Sequence, residues 1–243
     1  MYKIERLSDN VHIAVSREHT FGTDAVLLAD FACIRRRDNA IDLGTGCGII
    51  PLLWLRDDTI KPVNCVDIQE NAVKQVETSI VYNGFSDRLK VHQCDLRQIE
   101  TLFKAESFSL VTMNPPYKPV NTGIESMDES AKIARHEVCC TIEDACRAAS
   151  YLLQFGGRFC MCHRPERLVD VMDSMRRFKL EPKRLRFVQD KAGDAPFLFL
   201  IEGRKGAKPF LRVAPQLIIK KENLKFTDEM LKIYGSYADG YDK

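Results

Sequence analysis

Six consecutive residues, Met113-Asn114-Pro115-Pro116-Tyr117-Lys118, put an amide, two prolines and an aromatic ring directly after the apolar run Phe108-Ser109-Leu110-Val111-Thr112. The run reads as a central strand. The prolines stop it from continuing as sheet or turning at once into a regular helix. They hold Asn114 and Tyr117 in one fixed relation at the carboxyl edge of the strand, where open α/β sheets place their ligands. The chemistry this suits is action on an amino nitrogen attached to a planar ring. The Asn114 side-chain oxygen and the Pro115 carbonyl can accept both hydrogens of such a group and aim its lone pair, and Tyr117 can stack on the ring. A rigid turn whose tyrosine covers the core edge would use the same residues, so the motif needs support from elsewhere in the chain.

That support lies about seventy residues earlier. Ala40-Ile41-Asp42-Leu43-Gly44-Thr45-Gly46-Cys47-Gly48-Ile49-Ile50 reads as a strand, a glycine-rich turn and a helix. Gly44, Gly46 and Gly48 let the turn close and let a ligand approach bare backbone. The spacing is G-x-G-x-G and not the G-x-G-x-x-G of a dinucleotide loop, and no GxxxxGK[ST] loop occurs in the chain. Asp42, ahead of the glycines, would repel a pyrophosphate and attract a cationic or amine-bearing ligand. Asp67, nineteen residues beyond Gly48, ends the next strand, the place for a carboxylate that accepts both ribose hydroxyls. Asp95 follows the third strand and is placed to read the amino edge of an adenine. Helix capping accounts for any one of these acids. Together with Asn114 on the fourth strand they describe S-adenosylmethionine, whereas flavin and nicotinamide cofactors lack a phosphate site here.

The Asp42–Gly48 loop, Asp67, Asp95 and the Asn114–Tyr117 motif resemble class I adenosylmethionine-dependent methyltransferases that modify amino nitrogens. Phe21-Gly22-Thr23-Asp24-Ala25-Val26-Leu27-Leu28, Asn114-Pro115-Pro116-Tyr117 and Ala134-Arg135-His136-Glu137 resemble the tRNA1(Val) adenine-37 N6-methyltransferase family more closely, over residues 10–220. The resemblance implies cofactor binding by Asp42, Gly44, Gly46, Gly48, Asp67, Asp95 and Asn114, and methyl transfer at Asn114, Pro115 and Tyr117. It implies tRNA as partner, with substrate contacts at Pro116, Tyr117, Lys118, Lys132 and Arg135. Two positions depart from the pattern: Asp67 is one methylene shorter than the usual Glu, and Lys118 replaces a frequent aromatic residue. The same chemistry on rRNA, DNA adenine or a protein glutamine is the alternative, as is a non-catalytic RNA-binding relative. The glutamine enzymes usually carry an N-terminal helical domain, and the DNA enzymes a target-recognition domain; neither is visible in this sequence.

These residues need a scaffold, and the chain alternates strand and helix to supply one. Strands are expected at Asn39–Leu43, Val63–Val66, Leu89–Cys94, Phe108–Met113, Arg158–Cys162, Arg184–Val188 and Pro196–Ile201. Helices are expected after Thr23 or Asp24 as cap, at Ile49–Leu55, at Glu70–Tyr82, from Glu137 to Leu153 with Gly156-Gly157 as terminator, and from Pro165 to Arg177. The pattern is α/β: a doubly wound, mostly parallel, seven-stranded Rossmann-like sheet with an antiparallel edge strand. The expected organisation is a single domain over 1–243, with 1–37 as a strand and helix extension and 209–243 as a tail that has a weak strand signal at Leu217–Ile219.

Composition sets the outer limits. Hydrophobic content of 45% with 29% charged residues describes a globular protein, and no apolar run approaches membrane-spanning length. No secretion signal is visible in the first residues, so the expectation is a cytoplasmic protein, with monomer as the default state. Seven of the nine cysteines, Cys33, Cys47, Cys65, Cys94, Cys146, Cys160 and Cys162, read as reduced core residues. Cys139-Cys140 and Cys160-x-Cys162 lack a matching second pair, so no metal is expected. Between Arg158 and Arg212 there are 14 basic residues against 7 acidic, a local field suited to an anionic macromolecule.

Overall fold

The computed structural model describes residues 2–115 and 140–240, with side chains through residue 237. A small antiparallel hairpin of β1 (Lys3–Arg6) and β2 (His12–Val15) stands apart from the main sheet. The main sheet contains β3 (Ala40–Leu43), β4 (Val63–Asp67), β5 (Leu89–Gln93), β6 (Phe108–Met113), β7 (Leu153–His163), β8 (Leu180–Gln189) and β9 (Leu198–Lys205). Two short strands, β10 (Arg212–Val213) and β11 (Leu217–Ile218), complete it. The order is β10-β8-β9-β7-β6-β3-β4-β5, with β11 also on β8.

Alternate residues of the central strands enter opposite faces. Ala40, Leu110, Cys160 and Cys162 join one apolar cluster with α1 (Thr23–Ala32), α2 (Ile49–Trp54) and α3 (Glu70–Asn83). Ile41, Leu43, Val111, Phe159 and Met161 join a second cluster with α4 (Ile142–Leu152) and α5 (Leu168–Arg177). A period of two with apolar residues on both sides is what a sheet covered by helices on both faces demands. The last helix, α6 (Asp228–Tyr234), buries Met230 and Tyr234 in the first cluster.

The doubly wound α/β expectation holds, with local corrections. The antiparallel strand is β9, and it lies inside the sheet, between β7 and β8. The outer side of β8 is then taken by β10 and β11, which run parallel to it and cover backbone that an edge would expose. Gly156-Gly157 does not terminate a helix. α4 ends at Leu152, β7 starts at Leu153, and Gly156 at φ 75° sits opposite a register shift between Phe108 and Leu110, where a glycine in a strand accommodates a bulge. Neither Thr23 nor Asp24 caps α1. Gly22 is the N-cap, and the Thr23 hydroxyl instead meets the Tyr234 hydroxyl at 3.0 Å. Within the described residues the fourth helix begins with a Thr141–Asp144 capping box, a signal present in the sequence and overlooked there. The expected helix start at Glu137 lies outside the described residues.

Candidate active site

Four parallel strands, β3, β4, β5 and β6, end at one cavity of about 410 Å3. Its wall contains Gly44 and Gly46 after β3, Asp67 on β4, Cys94 and Asp95 after β5, and Met113, Asn114 and Pro115 from β6 onward. Gly22 and Asp24, at the start of α1, close another side. Among the described residues three carboxylates line this space and no lysine or arginine does, a lining that favours a cation over phosphate.

The glycine turn is held from β4. Thr45 donates its N–H to the Val66 carbonyl at 3.0 Å, and Gly48 donates to the Thr45 carbonyl at 2.9 Å. The Asp67 carboxylate accepts from Gly46 N–H at 2.8 Å through one oxygen and from Gln69 N–H at 2.9 Å through the other. Each oxygen keeps capacity for a further donor. Gly46, at φ 55°, presents bare backbone to the cavity, since a Cβ there would meet no atom within 4 Å. Gly48 lies behind the wall: at φ 81° it caps α2, and a Cβ would come within 3.0 Å of Val76 Cγ2. Gly48→Ala should therefore destabilise the fold by about 1–3 kcal/mol, read from the urea unfolding midpoint.

Asp42 also lies behind the wall, 1% exposed, and accepts from the Thr112 hydroxyl at 2.6 Å. Burial raises its pKa from 3.8 to about 7, the nearby Asp67 charge adds to the rise, and the Thr112 and Thr45 hydroxyls oppose it. The folded state thus holds this proton more tightly than the unfolded chain does. Asp42 favours folding most below its unfolded pKa of 3.8, and that contribution is lost as the pH rises towards 7. The slope is up to about 1.4 kcal/mol per pH unit, and Asp42→Asn should flatten it in urea titrations run across that range.

Asp95 lines the cavity but is already engaged. It caps the 3-10 turn Leu96–Thr101 through Arg97 N–H at 2.9 Å, and the Arg97 guanidinium contacts both of its oxygens at 2.6–3.0 Å. Hydrogen bonds from Arg97 hold its pKa below the ordinary carboxylate value. An adenine amino group would share this carboxylate with Arg97.

Asn114 follows the last residue of β6, and its Oδ1 accepts from the Cys162 thiol on β7 at 3.1 Å. The pairing Met113↔Met161 makes the two residues neighbours across the strands. His163, next on β7, is 2% exposed and accepts the Arg164 N–H through Nδ1 at 2.8 Å. Burial, followed by the charges of Arg167 and Arg164, lowers its pKa to about 4, so its imidazole is neutral at physiological pH.

The structure thus brings Gly44, Gly46, Asp67, Asp95, Asn114 and Pro115 to one cavity and sets Asp42 and Gly48 beneath it. Pro116, Tyr117, Lys118, Lys132 and Arg135 lie outside the described residues. Ile68, Leu96 and Met113 supply apolar wall that the sequence reading missed, although each directly follows or precedes a residue it selected. Among the described residues no group of three or more His, Cys, Asp or Glu side chains could hold a metal ion.

Residues 16–134 match the family model described as methyltransferase small domain. A tRNA1(Val) (adenine(37)-N6)-methyltransferase of Parabacteroides distasonis is 27% identical over 87% of this chain and 87% of its own. One from Pectobacterium carotovorum is 30% identical over 58% of this chain and 56% of its own. Among solved structures, a protein of Agrobacterium tumefaciens described as a predicted O-methyltransferase superposes with a TM-score of 0.69 at 20% identity. That match covers 87% of this chain and 95% of the other, and it bears on the fold.

Proposed function

We infer that the chain is a class I adenosylmethionine-dependent methyltransferase, related to the tRNA1(Val) (adenine(37)-N6)-methyltransferases it resembles, and that it methylates N6 of an adenine in tRNA, adenine 37 of tRNA1(Val). The observation that carries this reading is the carboxylate-lined cavity opening beside Asn114-Pro115 at the carboxyl ends of four strands.

Adenosylmethionine, when bound, supplies an electrophilic methyl group on a sulfonium. Its cationic half suits the acidic wall, bare backbone at Gly44 and Gly46 allows close approach, and Asp67 offers acceptors to ribose hydroxyls. Ile68 and Leu96 provide apolar surface for a base plane.

The target N6 is a poor nucleophile, because its lone pair is delocalised into the ring. Asn114 Oδ1 and the Pro115 carbonyl would accept its two hydrogens, favour a pyramidal nitrogen and direct its lone pair. Tyr117 would stack on the flipped-out base and offset part of the unstacking cost. Once N6 had accepted that methyl group, its extra proton would be acidic enough to leave towards these acceptors and solvent. No strong base is needed, so positioning carries most of the rate gain.

This reading takes residues 1–243 as one catalytic domain acting in the cytoplasm, where tRNA is processed. Burial of Leu7, Ile13, Met230 and Tyr234 in a cluster shared with α1 supports counting the extension and the tail as parts of that unit. Among the described residues no helix is long and apolar enough to cross a membrane.

The test is transfer of labelled methyl groups to total RNA from cells lacking this protein, followed by nucleoside analysis and mapping. Label in N6-methyladenosine at one tRNA position is expected. Label confined to rRNA, or no label in RNA, would overturn the assignment.

A further inference from the structure

We propose that two adjoining basic cavities at the opposite, amino-terminal end of the parallel strands bind a single-stranded segment of RNA. The inference builds on the reading of the protein as an RNA methyltransferase and adds a contact surface which that reading does not require.

The smaller cavity, about 230 Å3, lies between the segment after α1 and the start of β7. The larger, about 380 Å3, lies between the end of α1 and strands β8, β9 and β10. Arg35, Arg158 and Arg204 line both. Together the two linings contain seven arginines and lysines against two carboxylates, Asp38 and Glu202.

Both carboxylates are engaged. Arg158, 4% exposed, holds Asp38 at 2.6 Å and donates to the Ala32 carbonyl at the end of α1. Glu202 accepts from Arg184 at 3.0 Å and Arg204 at 3.1 Å. Arg35, Arg37, Lys183 and Arg212 make no ion pair among the described residues. Elsewhere between Arg158 and Arg212, Arg167, Arg176, Arg177, Arg186 and Lys205 each face a carboxylate, whereas Arg164, Lys179, Lys191 and Lys208 make no ion pair among the described residues. Four cations without an ion pair among the described residues thus share these two adjoining cavities.

Each cavity also has an exposed phenyl ring. Phe155, 77% exposed, rests on Gly206, where a Cβ would come within 2.4 Å of the ring. Phe210, 73% exposed and held at φ 152°, has the Lys183 ammonium 5.7 Å from its centroid. Supported rings left open to solvent among cations match the way single-stranded nucleic acid is held, with stacking for bases and charge for phosphates. A small anion would not need the rings, and paired bases would not reach them. α1 runs from Gly22 and Asp24 at the catalytic cavity to Cys33 and Arg35 here, and its rise spans about 15 Å. A segment flanking the reacting adenine can bridge that distance.

The experiment is fluorescence anisotropy of the whole protein with a short labelled oligouridylate at several salt concentrations. Arg35→Ala with Arg212→Ala should weaken binding at least tenfold and reduce the logarithmic salt slope by about 1.4, two phosphate contacts on a single strand. Phe155→Leu with Phe210→Leu should weaken binding at least fivefold and leave the slope unchanged. Adenosylmethionine affinity and circular dichroism should stay as in the parent for both variants. Unchanged oligouridylate binding in both folded variants would overturn the site. So would displacement by inorganic tripolyphosphate as effective as by unlabelled oligomer, which would make it a pocket for free anions. The oligomer contains no adenine, so failure of RNA methylation with intact oligomer binding counts against the catalytic reading alone.

Discussion

Asn114→Ala should retain the fold and the rest of the cofactor site while losing methyl transfer at saturating cofactor by about a hundredfold or more, the scale for removing one oriented acceptor from a transition state. The contacts that hold the glycine turn, from Asp67 to Gly46 and Gln69 and from Thr45 to Val66, do not involve the Asn114 side chain. The side chain accepts from the Cys162 thiol, a weak donor, and loss of that bond should cost about 1 kcal/mol or less in stability. Asn114→Asp keeps an acceptor of the same shape and adds a charge, and should keep part of the activity. Single-turnover transfer to an unmodified tRNA transcript, with cofactor and RNA both saturating, separates chemistry from binding. Near-normal turnover by Asn114→Ala would reduce the motif to a rigid turn after β6.

A second large effect is expected at Asp67, in binding. Asp67→Ala should weaken adenosylmethionine at least tenfold by calorimetry, about 1.4 kcal/mol. Two losses combine: an acceptor for the ribose, and the clamp that fixes Gly46 N–H at 2.8 Å. Asp67→Asn separates them. An amide can face its nitrogen towards only one of the two backbone donors, so it must break either the Gly46 or the Gln69 bond while keeping most of the side chain's shape. It should fall between the parent and Asp67→Ala. Unchanged affinity in a folded Asp67→Ala would remove this residue from the cofactor site.

Much of this site was legible in the sequence, because its residues follow strands at fixed steps. Asp67, Asp95 and Asn114 each lie at or just past the end of an apolar run, and parallel strands bring such positions to one edge. What pattern cannot give is where a side chain spends its hydrogen bonds. Asp42 and Asp67 look alike in the sequence, yet Asp42 is sealed under the turn against Thr112 while Asp67 faces the cavity. Asp95 was selected as a base reader, but Arg97, only two residues on, already occupies both oxygens. The glycine pair before Arg158 was misread for a related reason. A helix terminator and a strand bulge call for the same residue, and only the pairing across β6 separates them. The basic segment looked like a broad field because its counter-charges, Asp38, Glu106, Glu143 and Glu229, come from distant parts of the chain.

The pairing of β3 with β6 has a consequence for how the protein acquires its activity. Ala40↔Leu110 and Asp42↔Thr112 join residues seventy positions apart, and the Thr112–Asp42 hydrogen bond is made only when that register is set. The β8–β9 hairpin, by contrast, closes over a short loop. Loop-closure entropy favours such local pairs early and the central parallel pair late. During synthesis the first three strands of the sheet, β3 to β5, emerge before the strand that leads into Asn114, so cofactor wall and catalytic amide become one site only when a long-range contact closes. A nascent chain stalled before β6 should be compact in part and unable to transfer a methyl group.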